Sequence, residues 1–176
     1  GVKLNSYTPI DDGPYVSQPL PIIVPPTQAQ MPQLYQTVTI SNKTISNSGT
    51  ITSAVVSQIN SHPWGSTITI DATQKDIHLR VHDTAMNLSN GINLEVVSNG
   101  EHNVYLYLTG SSSLSINANQ YVGMQVRGSN PRLFIFGDGQ QSISLNSNSE
   151  LDACVYMPKG SISASGSPLT TYKFVG

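Results

Sequence analysis

From Ser66 onward, apolar and polar residues alternate in short runs. In "DIHLRVHD" Ile77, Leu79 and Val81 share one side; in "NVYLYLTG" Val104, Leu106 and Leu108 do so 27 residues later; in "RLFIFGDG" Leu133 and Ile135 follow after 29 more. A period of two is the mark of a strand with one buried face. A second strand follows each glycine turn, and there the letters nearly repeat: "SLSINAN" (113–119), "SISLNSN" (142–148) and the shorter "SISAS" (161–165). Third strands, "INLEVV" (92–97) and "YVGMQV" (121–126), complete the units.

Three short strands repeating every 27–29 residues predict the coils of a right-handed parallel β-helix, three to four of them between about Thr67 and Gly166. A β-sandwich also has short strands but gives no reason for letters conserved at a fixed offset. Equivalent residues then stack about 4.8 Å apart. The expected inward columns are Val81/Leu108, Leu79/Leu106/Ile135, Leu114/Ile143/Ile162 and Ile116/Leu145/Ala164. Ser113/Ser142/Ser161, Ser115/Ser144/Ser163 and Asn117/Asn146 form polar columns whose hydroxyls and amides can satisfy one another.

Before the repeats the pattern changes. Seven of the eleven prolines precede residue 33, and "PLPIIVPPTQAQMP" reads as an extended arm, so residues 1–36 are predicted to pack on a solenoid domain of residues 37–176. "SAVVSQINSHPWG" is the one expected helix. Ser53 would cap it, Val55, Val56 and Ile59 would form its apolar side, and Pro63 would stop it. This cap, near residues 53–65, should cover the first coil with Trp64 close by, because an open solenoid end exposes strand edges and core.

Composition narrows the function classes. Only 10% of residues are charged and the net charge is −2; without a Lys/Arg cluster there is no field to hold nucleic acid. Cys154 is single, so no intrachain disulfide forms, and no basic neighbour activates it. No apolar run reaches the ~20 residues of a membrane helix, and no signal peptide is visible. A chain opening at Gly1 and ending at Gly176 looks like a soluble piece whose membrane anchor lies elsewhere.

The candidate chemistry is sparse. Polysaccharide cleavage on a β-helix needs paired carboxylates on neighbouring columns. Aligning the units sets Asp138 on Thr109, Asp83 on Gly110 and Asp76 on Asn103, and leaves Glu95, Glu101, Glu150 and Asp152 isolated. No catalytic residue is expected, and no cofactor. His78 and His82 share a face but lie about 13 Å apart at ~3.3 Å per residue, too far to share an ion; they read as solvent-facing, and no metal site is expected. Asp11-Asp12-Gly13 reads as a turn. Thr37/Thr39, Thr50/Thr52 and Thr67/Thr69 suggest an ice-binding ladder, but their spacings of 13 and 17 do not match the coil, so they should not stack as one column.

"GDGQQSISLNSNSELDACVYMPKGSISASG" (137–166) resembles the signature of a β-helical domain of minor pilins and pilus-assembly proteins of bacterial type IV pilus systems. The shared pattern is a Gly-rich turn, a strand ending near Asn, then Val155-Tyr156-Met157-Pro158 and another short strand, within a likeness running from about Asp76 to Gly166. Asp152-Ala153-Cys154 departs from the family's small or Gly residues. The resemblance implies a non-enzymatic, extracellular, cell-surface domain serving structure and adhesion, with other pilus subunits or a surface ligand as partners. A carbohydrate-binding or polysaccharide-processing β-helix is the competing reading.

One surface stands out as an interaction face. If Val104, Leu106 and Leu108 point inward, Tyr105 and Tyr107 point outward, and the 29-residue offset stacks them on Phe134 and Phe136. Four rings in a two-by-two block are an apolar patch needing cover, and Pro19 to Pro26 are the expected cover.

Overall fold

Alternation in short runs leaves each strand with one apolar face, and coiling turns all those faces to a common interior. The computed structural model describes residues 22–165 except Gly128. After a 3-10 turn (Pro32–Tyr35) come β1 (Thr44–Ile45), β2 (Gly49–Ile51) and helix α1 (Ser53–Asn60). Then follow β3 (Thr67–Ala72), β4 (Ile77–His82) and β5 (Ala85–Asn87); β6 (Asn93–Ser98), β7 (Val104–Thr109) and β8 (Ser113–Ile116). The last two coils are β9 (Tyr121–Met124), β10 (Leu133–Gly137) and β11 (Ser142–Asn146); and β12 (Glu150–Leu151), β13 (Cys154–Tyr156) and β14 (Ser161–Ser165).

Three parallel sheets result, in the orders β1-β3-β6-β9-β12, β2-β4-β7-β10-β13 and β5-β8-β11-β14. They stack as a β-solenoid of about four turns. The interior is one apolar cluster running from Val38 to Ala153. Its columns are those expected: Val81 on Leu108, Leu79 on Leu106 on Ile135, and Leu114 on Ile143 on Ile162. The coil starts earlier than Thr67, however. β1 and β2 already pair with β3 and β4 and form a partial first turn.

In that first turn α1 takes the place of a third strand. Val55, Val56 and Ile59 are buried in the core, as expected. The N-cap is Thr52 rather than Ser53: the Thr52 hydroxyl accepts from Val55 N–H, one residue upstream of the expected cap. Asn60 ties the helix to the next coil. Its Nδ2 donates to Asn87 O at 2.8 Å, and its Oδ1 accepts from Ser89 N at 2.9 Å. Trp64 does not join this cap. It is 80% exposed, lying over Gly91, where a Cβ would meet the indole Nε1 at 3.0 Å.

The corners explain the asparagines. Asn90, Asn119 and Asn148, each 29 residues apart, have φ of 54°, 62° and 59° at the turn leaving the Ser-rich sheet. Asn tolerates this left-handed conformation better than other non-glycine residues. Inside the same turn Asn146 Nδ2 donates to Asn117 Oδ1 at 2.9 Å, and Asn117 Nδ2 donates to Leu88 O. The expected Asn117/Asn146 column is therefore a hydrogen-bonded one.

Two expectations at the ends are corrected. Residues 27–36 are not extended: they form a turn and the 3-10 turn, because Pro32 suits the first position of a helical turn. Ile162 is in its column yet 43% exposed, because β14 is the last rung of its sheet among the described residues. Asp11-Asp12-Gly13 and Pro19 to Pro21 lie outside the described residues.

Candidate interaction face

Strands β4, β7 and β10 point every second side chain away from the core, and the register decides which rings meet. Tyr105 pairs with Phe134, and Tyr107 with Phe136. Their ring centroids are 5.7 and 5.6 Å apart, with planes inclined by 26° and 25°. The two-by-two block of Tyr105, Tyr107, Phe134 and Phe136 thus forms as the spacing implied.

The block is larger than the sequence reading had it. His78 stands opposite Tyr105 and stacks on it at 4.7 Å, and its Nδ1 lies 3.1 Å from the Tyr107 hydroxyl. It is therefore half-buried in a ring stack rather than solvent-facing. Burial lowers its pKa from the ordinary histidine value, partly countered by Asp76. Arg80 stands opposite Tyr107, and its guanidinium lies 4.8 Å above the Tyr35 ring. Tyr156 continues the column below Phe136, and Cys154 stands below Phe134. His78 and Arg80 were legible as the same outward positions 27 residues before Tyr105 and Tyr107.

The ring planes lie roughly parallel from rung to rung, so each inner ring spends its faces on its neighbours and turns an edge outward. Tyr107 is only 6% exposed, and burial, followed by the neighbouring Tyr105, pushes its hydroxyl pKa up to about 12. Val24, Pro25, Pro26, Gln30 and Met31 border a depression that includes Tyr107. The segment is latched there by Tyr35, whose hydroxyl donates to Pro26 O at 3.0 Å, and by Thr50, whose hydroxyl donates to Leu34 O at 2.6 Å.

The remaining candidates fall elsewhere. His82 Nδ1 lies 2.9 Å from the Thr109 hydroxyl and its Nε2 lies 3.2 Å from Asp83 Oδ2. Asp83 accepts from the Ser111 N–H, which holds its carboxyl below the usual range. Glu95 and Asp152 do not stack on neighbouring rungs, as the alignment implied. Both stand in the column of Gly123, on either side of it, so about 10 Å separates their rungs. Asp152 is buried beneath Tyr121, whose hydroxyl donates to Met124 O at 2.7 Å and lies 3.3 Å from Asp152 Oδ2. Burial first, and then Asp152, raise the Tyr121 pKa. Glu150 pairs with Arg127 at 2.8 Å. Thr37 does bridge to Thr50, contrary to the spacing argument, but Thr50 then meets Arg80 and Thr67 meets Asn93, so the threonines build no continuous column.

Fold and site together define a small parallel β-solenoid bearing an edge-on aromatic ladder on one outer face. Residues 37–173 match the model of a family described as a domain of unknown function, DUF7305, and the chain belongs to that family. No curated protein and no solved structure matches it.

Proposed function

We propose that this chain is a non-enzymatic structural and adhesive domain, displayed at the outer cell surface in a pilus-associated, minor pilin-like protein. The observation that carries this reading is the ladder of His78, Tyr105, Tyr107, Phe134 and Phe136 on a rigid sheet face. A stiff rod with an apolar outer stripe suits contact with protein surfaces. Cleavage chemistry at the Glu95/Asp152 column is disfavoured because Asp152 is buried beneath Tyr121, out of reach of a substrate.

The test is location in the cell that makes the protein. Mechanical shearing of intact cells should release the chain together with pilus fibres, and external protease should degrade it. Retention inside protease-treated cells would overturn the reading.

A further inference from the structure

The ladder has an end, and the end differs from its interior. His78 is the first ring of its column; the position before it belongs to Ser48, because Gly49 pairs with Leu79. Ser48 is small, and its hydroxyl accepts from His78 N–H at 2.9 Å. One imidazole face is therefore taken by Tyr105, while no ring covers the other among the described residues.

That end opens into a groove of about 530 Å³ between the 31–39 segment and the first coil, a size within the roughly 300–1,000 Å³ of small-ligand pockets. Gln33, Gln36, Thr37 and Thr39 form one wall, exposed and uncharged. Amides and hydroxyls each donate and accept, as ligand hydroxyls require. The two charges in the groove already have partners. Lys75 Nζ donates to Asn47 Oδ1 at 2.8 Å; Asp76 Oδ1 accepts from Asn103 N–H at 2.9 Å and lies 3.5 Å from His102 Nδ1. Being one cation and one anion, they leave the groove without a net charge to select an ion.

We infer that this groove binds a short neutral oligosaccharide, with the apolar face of one sugar ring against the His78 imidazole where it lines the groove and its hydroxyls on Gln33, Gln36, Thr37 and Thr39. The depressed pKa of His78 agrees with this, since an uncharged imidazole keeps its electron-rich face at neutral pH. The inference supplies a ligand for the adhesive role proposed above and rests on that reading, but its test is independent of cell location.

The full 176-residue chain should be titrated calorimetrically with cellotetraose, maltotetraose and chitotetraose, with trigalacturonate as a charged control. At least one neutral oligosaccharide should bind at millimolar concentration or below. Gln33→Ala/Gln36→Ala, a change at two exposed positions, should weaken binding about tenfold, the worth of a lost hydrogen bond or two, with Tm unchanged. His78→Ala should abolish it. No binding by any neutral sugar, tighter binding of trigalacturonate, or affinity indifferent to Gln33→Ala/Gln36→Ala would each overturn the inference. The shearing experiment would still decide the surface reading on its own.

Discussion

His78 and Tyr107 are joined diagonally across two neighbouring strands: His78 faces Tyr105 in register, yet its Nδ1 meets the Tyr107 hydroxyl at 3.1 Å. Diagonal partners lie within reach of long side chains on one sheet face. The contact couples the two columns of the ladder, and burial in the stack shifts the pKa of each partner.

The two shifts act at opposite ends of the pH scale. The folded pKa of His78 lies below its unfolded value of 6.5, so the unfolded chain takes up the proton first and stability falls as pH drops through 6.5. His78→Phe keeps the stack without a titrating group. Its Tm should fall less than that of the unaltered chain between pH 7.5 and 5; an identical fall would mean that other histidines account for it.

Tyr107 works in the other direction. Its folded pKa of about 12 exceeds the ordinary 10, so the stability it contributes is whole below pH 10 and is lost as pH rises toward 12. Tyr107→Phe should flatten that alkaline loss, measured by urea unfolding at pH 9, 10.5 and 11.5. Part of the slope remains, because the Tyr121 pKa is raised too.

The core columns can be tested by position. Ile135 is fully buried in mid-column, whereas Ile162 is 43% exposed on the last rung. Ile135→Ala should cost about 2–5 kcal/mol, as buried aliphatic truncations do. Ile162→Ala should cost less than about 1 kcal/mol. Chemical denaturation that ranks the two equally would break the assigned register.

Gly123 is where two layers touch outside the core. A Cβ there would lie 2.6 Å from the Asp152 Cβ and 2.7 Å from the Tyr121 hydroxyl oxygen. Gly123→Ala should therefore destabilise by roughly 1–3 kcal/mol through overpacking. It should also alter near-ultraviolet dichroism through Tyr121.

The corner asparagines test backbone conformation. Asn148, at φ 59°, is bonded to Asn119 by only a long 3.4 Å contact. Asn148→Gly should leave Tm nearly unchanged, while Asn148→Val should cost about 1–2 kcal/mol, the penalty of a side chain in the left-handed region. Equal effects would show that the side chain rather than φ matters at this corner.

Much of this molecule was legible along the chain because a solenoid converts sequence offset directly into spatial stacking. An offset of 27 sets Leu79 on Leu106, and an offset of 29 sets Tyr105 on Phe134; alternation then assigns each to the inside or the outside. Local residue preference was enough for α1, since Val55, Val56 and Ile59 recur at helical spacing.

Offsets shorter than a coil carried no such information. β1 and β2 hold two and three residues, too few for a period to appear, so the partial first turn emerged only when β3 and β4 were there to pair with them. Trp64 illustrates a different limit: the sequence set it close to the first coil, and the structure places its indole over Gly91 while leaving it 80% exposed.

By itself, then, the sequence determined the solenoid, its inward columns and the outward block of Tyr105, Tyr107, Phe134 and Phe136, because repeats spaced by one coil leave little freedom in register. Only the tertiary structure decided that His78 is the first ring of the ladder among the described residues, that residues 31–39 wall a groove beside it, and that Asp152 is shut beneath Tyr121. Those relations join elements of different period or none, and are settled by what packs beside what rather than by repetition.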